Sequence, residues 1–190
     1  MSEWVYSTDA AIRRRQEKVV GWLRSATGYT GPGSTPTLGT MTHNILFLGP
    51  VGTGKDRLCS WLVRVALSEG KIVRRFSGPE MYSKARGYIE SGTEEEFIDH
   101  LVECDVLFIS DPLPPGGTLT AYQASLLYRV IDDRWRMHRP IWVTINVGQK
   151  EAPERLTPQV WDRLKSGATL LYCDWKSFRR PTTVIGAEEQ

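Results

Sequence analysis

Cysteine and histidine are scarce, and neither forms a pattern. Cys59, Cys104 and Cys173 lie far apart in apolar surroundings. Such an odd, scattered set argues for reduced, buried thiols rather than disulfides or a zinc site. His43, His100 and His138 lack metal-ligand spacing and read as structural. No apolar run approaches the roughly 20 residues that cross a bilayer. The opening MSEWVYSTDAAIRRRQ has no apolar stretch of the signal-peptide kind. An excess of one charge is also missing: 24 Lys and Arg against 22 Asp and Glu leave a net charge of +2. The whole-molecule field is therefore weak, and a surface for a polyanion has to be a local patch. No internal repeat is visible. These absences lead to the expectation of a cytoplasmic protein, and 190 residues suit one domain with a sizeable core.

What is present is alternation. Residues 9–26 read as a helix capped by Thr8 or Asp9, with Val19, Val20, Trp22 and Leu23 apolar and Arg13, Arg14, Arg15 and Lys18 basic. Residues 28–40, GYTGPGSTPTLGT, have the composition of a linker or mobile loop. Short apolar strands are then expected at 44–49, 71–77, 106–110, 141–147 and 168–174. Between them fall helical patterns: 54–69, one starting at Pro79, one behind Thr93 with Glu96 completing a capping box, 118–138, and TPQVWDRLKSG. In the long 118–138 helix, Leu126, Leu127, Val130, Ile131 and Trp135 form the apolar side. Apolar strands alternating with helices predict an α/β fold, a parallel sheet of about five strands covered on both faces. Right-handed crossovers bring the strand C-termini, and any ligand crevice, to one edge. Gly49, Asp111 and Asn146 all stand at such ends.

Chemistry concentrates in GPVGTGKD, residues 49–56. The pattern G-x-x-x-x-G-K-[ST] wraps a phosphate chain in backbone N–H groups and normally ends in a hydroxyl that holds Mg²⁺. Gly49, Pro50, Val51, Gly52, Thr53, Gly54 and Lys55 match it, Lys55 reaching the β- and γ-phosphates; Asp56 stands where the hydroxyl belongs. The second acidic position comes from VLFISDP. A strand ending in Asp holds Mg²⁺ in many NTPases. Two alignments are open. Asp111 is the metal-side acid, with Pro112 where a water-orienting acid belongs. Alternatively, Ser110 takes the metal-side position and Asp111 orients water. In the second alignment the loop hydroxyl and strand carboxylate have changed places, so Asp56 ligates Mg²⁺, directly or through water, and Ser110 supports it. The competing interpretation is two losses of function, since a carboxylate near the phosphates adds repulsion.

The ordered set of segments resembles the DnaC/IstB family of AAA+ ATPases, which includes helicase loaders and transposition helpers. GPVGTGKD, CDVLFISDP, RPIWVTINV and VWDRLKSGATLLYCDWKSFR follow one another over about residues 40–180 as in that family. The resemblance implies an AAA+ P-loop core over 41–180 without a separate lid domain, preceded by a basic helix and linker over 1–40 and followed by a tail over 181–190. It implies ATP and Mg²⁺ as ligands, Asn146 as a γ-phosphate sensor, Arg163 as an arginine finger and Arg179 as a second sensor. A finger that serves the neighbouring subunit implies a homo-oligomer, a ring or a spiral. The family also implies DNA and a replicative helicase or transposase as partners. The chain departs from full-length loaders in having only about forty residues before the core, so the 9–26 helix is the candidate for partner docking or phosphate contact. The leading expectation is ATP hydrolysis coupled to DNA or a partner; the alternative is a nucleotide-gated binding module with little or no turnover.

Overall fold

The computed structural model describes residues 4–39 and 41–179. Among the described residues, seven helices and five strands follow one another as α1 (Ala10–Thr27), β1 (Ile45–Leu48), α2 (Lys55–Ser68), β2 (Val73–Ser77), α3 (Gly78–Glu90), α4 (Glu94–Glu103), β3 (Val106–Ser110), α5 (Ala121–Arg136), β4 (Ile141–Ile145), α6 (Ala152–Leu156), α7 (Pro158–Lys165) and β5 (Thr169–Tyr172). The strands form one sheet in the order β2-β3-β4-β1-β5, and every pairing is parallel. The expected five-stranded parallel sheet is thus present. Strand β3 spans the expected 106–110, and the other four are shorter than their expected runs, because residues such as Gly49 and Asn146 have already left the ladder.

Pleating divides the strand residues between two cores. Leu46, Leu48, Leu107, Ile109, Val143 and Ile145 pack with α3, α4, α5 and α7. Ile45, Phe47, Val106, Phe108 and Trp142 pack on the other face with α2 and with Val19, Val20 and Leu23 of α1. Helix α1 is held at both ends: Asp9 accepts from the amides of Ala11 and Ile12, and Gly28 closes it in the left-handed conformation. The coil after it is tied down by Thr37 N donating to Thr27 O at 2.9 Å and by Leu38 N donating to Glu69 Oε1 at 2.6 Å.

Two local expectations need correction. No capping box forms at Thr93; its hydroxyl lies 2.8 Å from Ser91 Oγ and does not cap α4. The box occurs instead at Thr120, whose side chain accepts from Gln123 N while Gln123 caps Thr120 N in return. Trp135 does not join the apolar side of α5. It is 49% exposed, and the Arg163 guanidinium lies 4.8 Å from its ring centroid. The buried arginine of α5 is Arg134, whose Nη atoms donate to the carbonyls of Leu101, Val102, Cys104 and Pro140. That cation closes the C-terminal end of α4 and belongs to the scaffold.

Candidate nucleotide site

Strands β3, β4 and β1 are neighbours, so their C-terminal ends stand side by side. The loop after β1 turns through Gly49 at φ 141°, Gly52 at φ 81° and Gly54 at φ 86°. These angles alone favour glycine. At Gly49 close approach adds to the requirement, since a Cβ there would lie 2.4 Å from Cys173 O. Helix α2 begins at Lys55 and directs its positive end into the loop. Lys55 is buried, 4% exposed. Its Nζ donates to Gly49 O at 2.8 Å and Pro50 O at 2.7 Å, and burial lowers its pKa from the ordinary lysine value. A cavity of about 300 Å³ opens over the loop, lined by Val51, Gly52, Gly54, Lys55 and Asp56 and, from elsewhere in the chain, by Asn146, Phe178 and Arg179.

Of the two acidic residues, Asp56 lines this cavity and Asp111 does not; Asp111 reaches it only through Asn146. Ser110 Oγ donates to Asp56 Oδ2 at 3.0 Å, and Thr144 Oγ1 donates to Asp56 Oδ1 at 2.5 Å. Ser110, rather than Asp111, is therefore the β3 residue beside Asp56. Asp111 sits one residue beyond β3 with a positive φ of 49°. Its amide donates to Thr144 O at 2.8 Å, and its Oδ2 accepts from Asn146 Nδ2. Its Oδ1 is buried and has no protein partner. A carboxylate with one oxygen held and the other unpaired keeps an acceptor for a water or a ligand that reaches it.

Arg163 lies elsewhere. It stands on α7, with Nη2 2.8 Å from Asp132 Oδ1, and is absent from the cavity lining. The approach has the distance of an ion pair but not the angle of a hydrogen bond, since Asp132 Oδ1 has no hydrogen-bond donor. Arg136 holds the other Asp132 oxygen at 2.6 Å. On α1, Arg13 pairs with Glu17 and Arg15 with Asp174, both at 2.8 Å, while the basic face stays exposed.

Sequence reasoning missed two features. Thr144 is one. The other is an aromatic strap over the loop. Trp175 Nε1 donates to Thr53 O at 2.9 Å, and Phe178 N donates to Gly52 O at 2.8 Å. Ser177 Oγ lies 2.0 Å from the position a Cβ on Gly52 would take. Trp4 packs edge-to-face on Trp175 and Phe178 and covers Gly54. No local pattern in the sequence connects residue 4 with residue 175.

No family model matches the chain. Among curated proteins it is similar to the replicative helicase loader DnaC of Escherichia coli (strain K12), 27% identical over 143 residues. That alignment takes in 74% of this chain and 58% of the relative, so the chain spans less than two thirds of the relative's length. DnaC of Buchnera aphidicola subsp. Acyrthosiphon pisum is 26% identical over 141 residues, covering 72% and 56%. Among solved structures, the DnaC helicase loader superposes with a TM-score of 0.71 at 16% identity, covering 89% of this chain and 93% of that one. DnaI gives 0.66 at 17% identity, covering 94% and 89%. The replication initiator DnaA bound to AMPPCP and single-stranded DNA gives 0.65 at 16%, covering 88% and 47%. The sequence likeness to the loaders, on a shared fold, supports a likeness to the DnaC/IstB family of AAA+ P-loop proteins.

Proposed function

We propose that this protein is an ATP-hydrolysing helper of the helicase-loader type, working in the cytoplasm on DNA with a replicative helicase or transposase partner. The observation that carries the reading is that Lys55 and Asp56, at the start of α2, line one cavity with Asn146, which in turn holds Asp111 at the end of the neighbouring strand. Gly49 to Lys55 would cradle the triphosphate, and Lys55 would leave the loop carbonyls for the β- and γ-phosphates. Asn146, which already fixes one oxygen of Asp111, would leave the other oxygen to orient the attacking water. Arg179 faces the same cavity and would contact the phosphates of its own subunit.

The residues fit Mg²⁺. Among the described residues no group of three or more His, Cys, Asp or Glu could hold an ion alone. Mg²⁺ in nucleotide sites needs only one or two carboxylates, with phosphates and water completing its shell. Asp56 would hold it with Ser110 in support, and the ion would neutralise phosphate charge during transfer. Arg163 would serve a neighbouring subunit in a ring or spiral, leaving Asp132 to do so. The exposed basic face of α1 would meet DNA phosphates.

The test is ATP binding and turnover measured with and without single-stranded DNA. DNA-stimulated, Mg²⁺-dependent hydrolysis is expected; absence of nucleotide binding refutes the reading. Tight binding without turnover selects the second reading, a nucleotide-gated binding module. That reading draws on the extra negative charge Asp56 brings to the phosphate mouth.

A further inference from the structure

Strand β4, Ile141–Ile145, is buried along its whole length, and Thr144 is its one hydroxyl. Thr144 is 2% exposed. A buried hydroxyl is costly without a partner, and valine would match its shape and suit a strand at least as well. The partner is Asp56. Ser110 and Thr144 are paired in register across β3 and β4. Alternation puts both on the face that carries Phe108 and Trp142, the face covered by α2. The two hydroxyls therefore stand abreast, about one strand spacing of ~4.8 Å apart, and donate to opposite oxygens of one carboxylate. Asp56 itself lies in the first turn of α2, where the helix end favours a negative charge.

We infer that Thr144 is a positioning residue for the nucleotide's Mg²⁺: with Ser110 it fixes the orientation of the Asp56 carboxylate. The inference rests on the proposed nucleotide site and deepens it. With both oxygens receiving a hydroxyl, the carboxylate cannot rotate without losing two hydrogen bonds, and each oxygen keeps a lone pair for the ion or its water. Thr144 also joins the two acidic residues. Its side chain holds Asp56, while its backbone carbonyl accepts from the Asp111 amide. The side-chain contact can be removed without touching the backbone one.

The experiment compares Thr144→Val and Thr144→Ser with the unaltered protein. ATP affinity is measured in EDTA and across a Mg²⁺ titration, with urea denaturation to verify folding. Thr144→Val should leave affinity in EDTA unchanged and raise the Mg²⁺ concentration for half-maximal tightening by about 10- to 100-fold, the usual effect of losing a group that orients a metal ligand. Thr144→Ser, which keeps the hydroxyl, should stay close to the unaltered protein. An unchanged Mg²⁺ requirement in Thr144→Val overturns the inference, as does a Thr144→Ser variant as impaired as Thr144→Val, which would make the methyl group the relevant part. If Thr144→Val does not fold, Ser110→Ala removes the other donor and is held to the same outcomes. An unaltered protein that binds no ATP overturns the nucleotide reading itself; one that binds ATP indifferently to Mg²⁺ overturns this inference alone.

Discussion

Exchanging Asp56 and Ser110 tests whether a carboxylate and a hydroxyl have traded places. Asp56→Thr leaves the hydroxyls of Ser110 and Thr144 without their shared acceptor. Hydrogen bonds to a charged group contribute about 1.5–3 kcal/mol each when desolvated. Asp56 is exposed, so a combined loss of about 1–3 kcal/mol is expected. Ser110→Asp puts a second carboxylate where the hydroxyl now stands, 3.0 Å from Asp56 Oδ2. Two like charges about 4 Å apart at an effective dielectric of about 20 repel by about 4 kcal/mol, an upper bound that solvent around Asp56 reduces. In the double variant the new hydroxyl at position 56 donates to the new carboxylate at position 110, and Thr144 remains within reach. A favourable coupling of about 2 kcal/mol is therefore expected, within the usual range for contacting residues. Urea denaturation without nucleotide measures the coupling, and a Mg²⁺ titration of ATP binding measures its functional counterpart. Effects that add to within about 0.5 kcal/mol, or a double variant that needs more Mg²⁺ than either single one, refute the exchange.

Lys55→Ala should abolish ATP binding or turnover, checked by direct nucleotide titration; unchanged affinity removes the phosphate-loop assignment. Arg163→Ala should spare ATP binding by the isolated subunit and lower assembly turnover by about 10³- to 10⁵-fold. Mixing it with Lys55→Ala should restore part of the activity, and mixed oligomers without recovery rule out a finger acting in trans. Replacing Arg13, Arg14 and Arg15 together with Ala should weaken DNA binding and flatten its salt dependence; an unchanged slope makes the α1 face a solvated or protein-docking surface. Burial pushes the Cys173 thiol from 9.0 up to about 12. The folded protein then keeps a proton that the unfolded chain releases, so stability falls as pH rises from 9 towards 12. At pH 10 the loss is about 1.4 kcal/mol from this group. Urea denaturation under reducing conditions at pH 8 and pH 10 should show a smaller loss in Cys173→Ala, and an equal loss refutes the assignment.

Much of the fold was legible in the sequence because the signals are local. Short β-branched and aromatic runs such as ILFL and VLFIS, bounded by turn residues and helical periodicity, favour buried strands, and the glycine spacing of residues 49–54 constrains its own backbone. Element ends were less legible. The Thr93 hydroxyl has a competing partner in Ser91, and Trp135 has a cation to stack on, so neither followed its pattern. The positions of Asn146 and Asp111 just past strand ends were legible from the apolar runs before them. Their pairing, and the separation of Arg163 from the cavity, depended on the sheet order. The sequence by itself determined the phosphate loop, the parallel sheet and the unusual Asp56. Only the tertiary structure decided which β3 residue stands beside Asp56, because alternation and the register of β3 against β4 turn Ser110 and Thr144 toward α2 and leave Asp111 to Asn146. It alone brought Trp4, Trp175 and Phe178 over the loop. Contacts between residues so far apart in sequence follow from how the helices and the chain ends pack on the sheet, which no local pattern encodes.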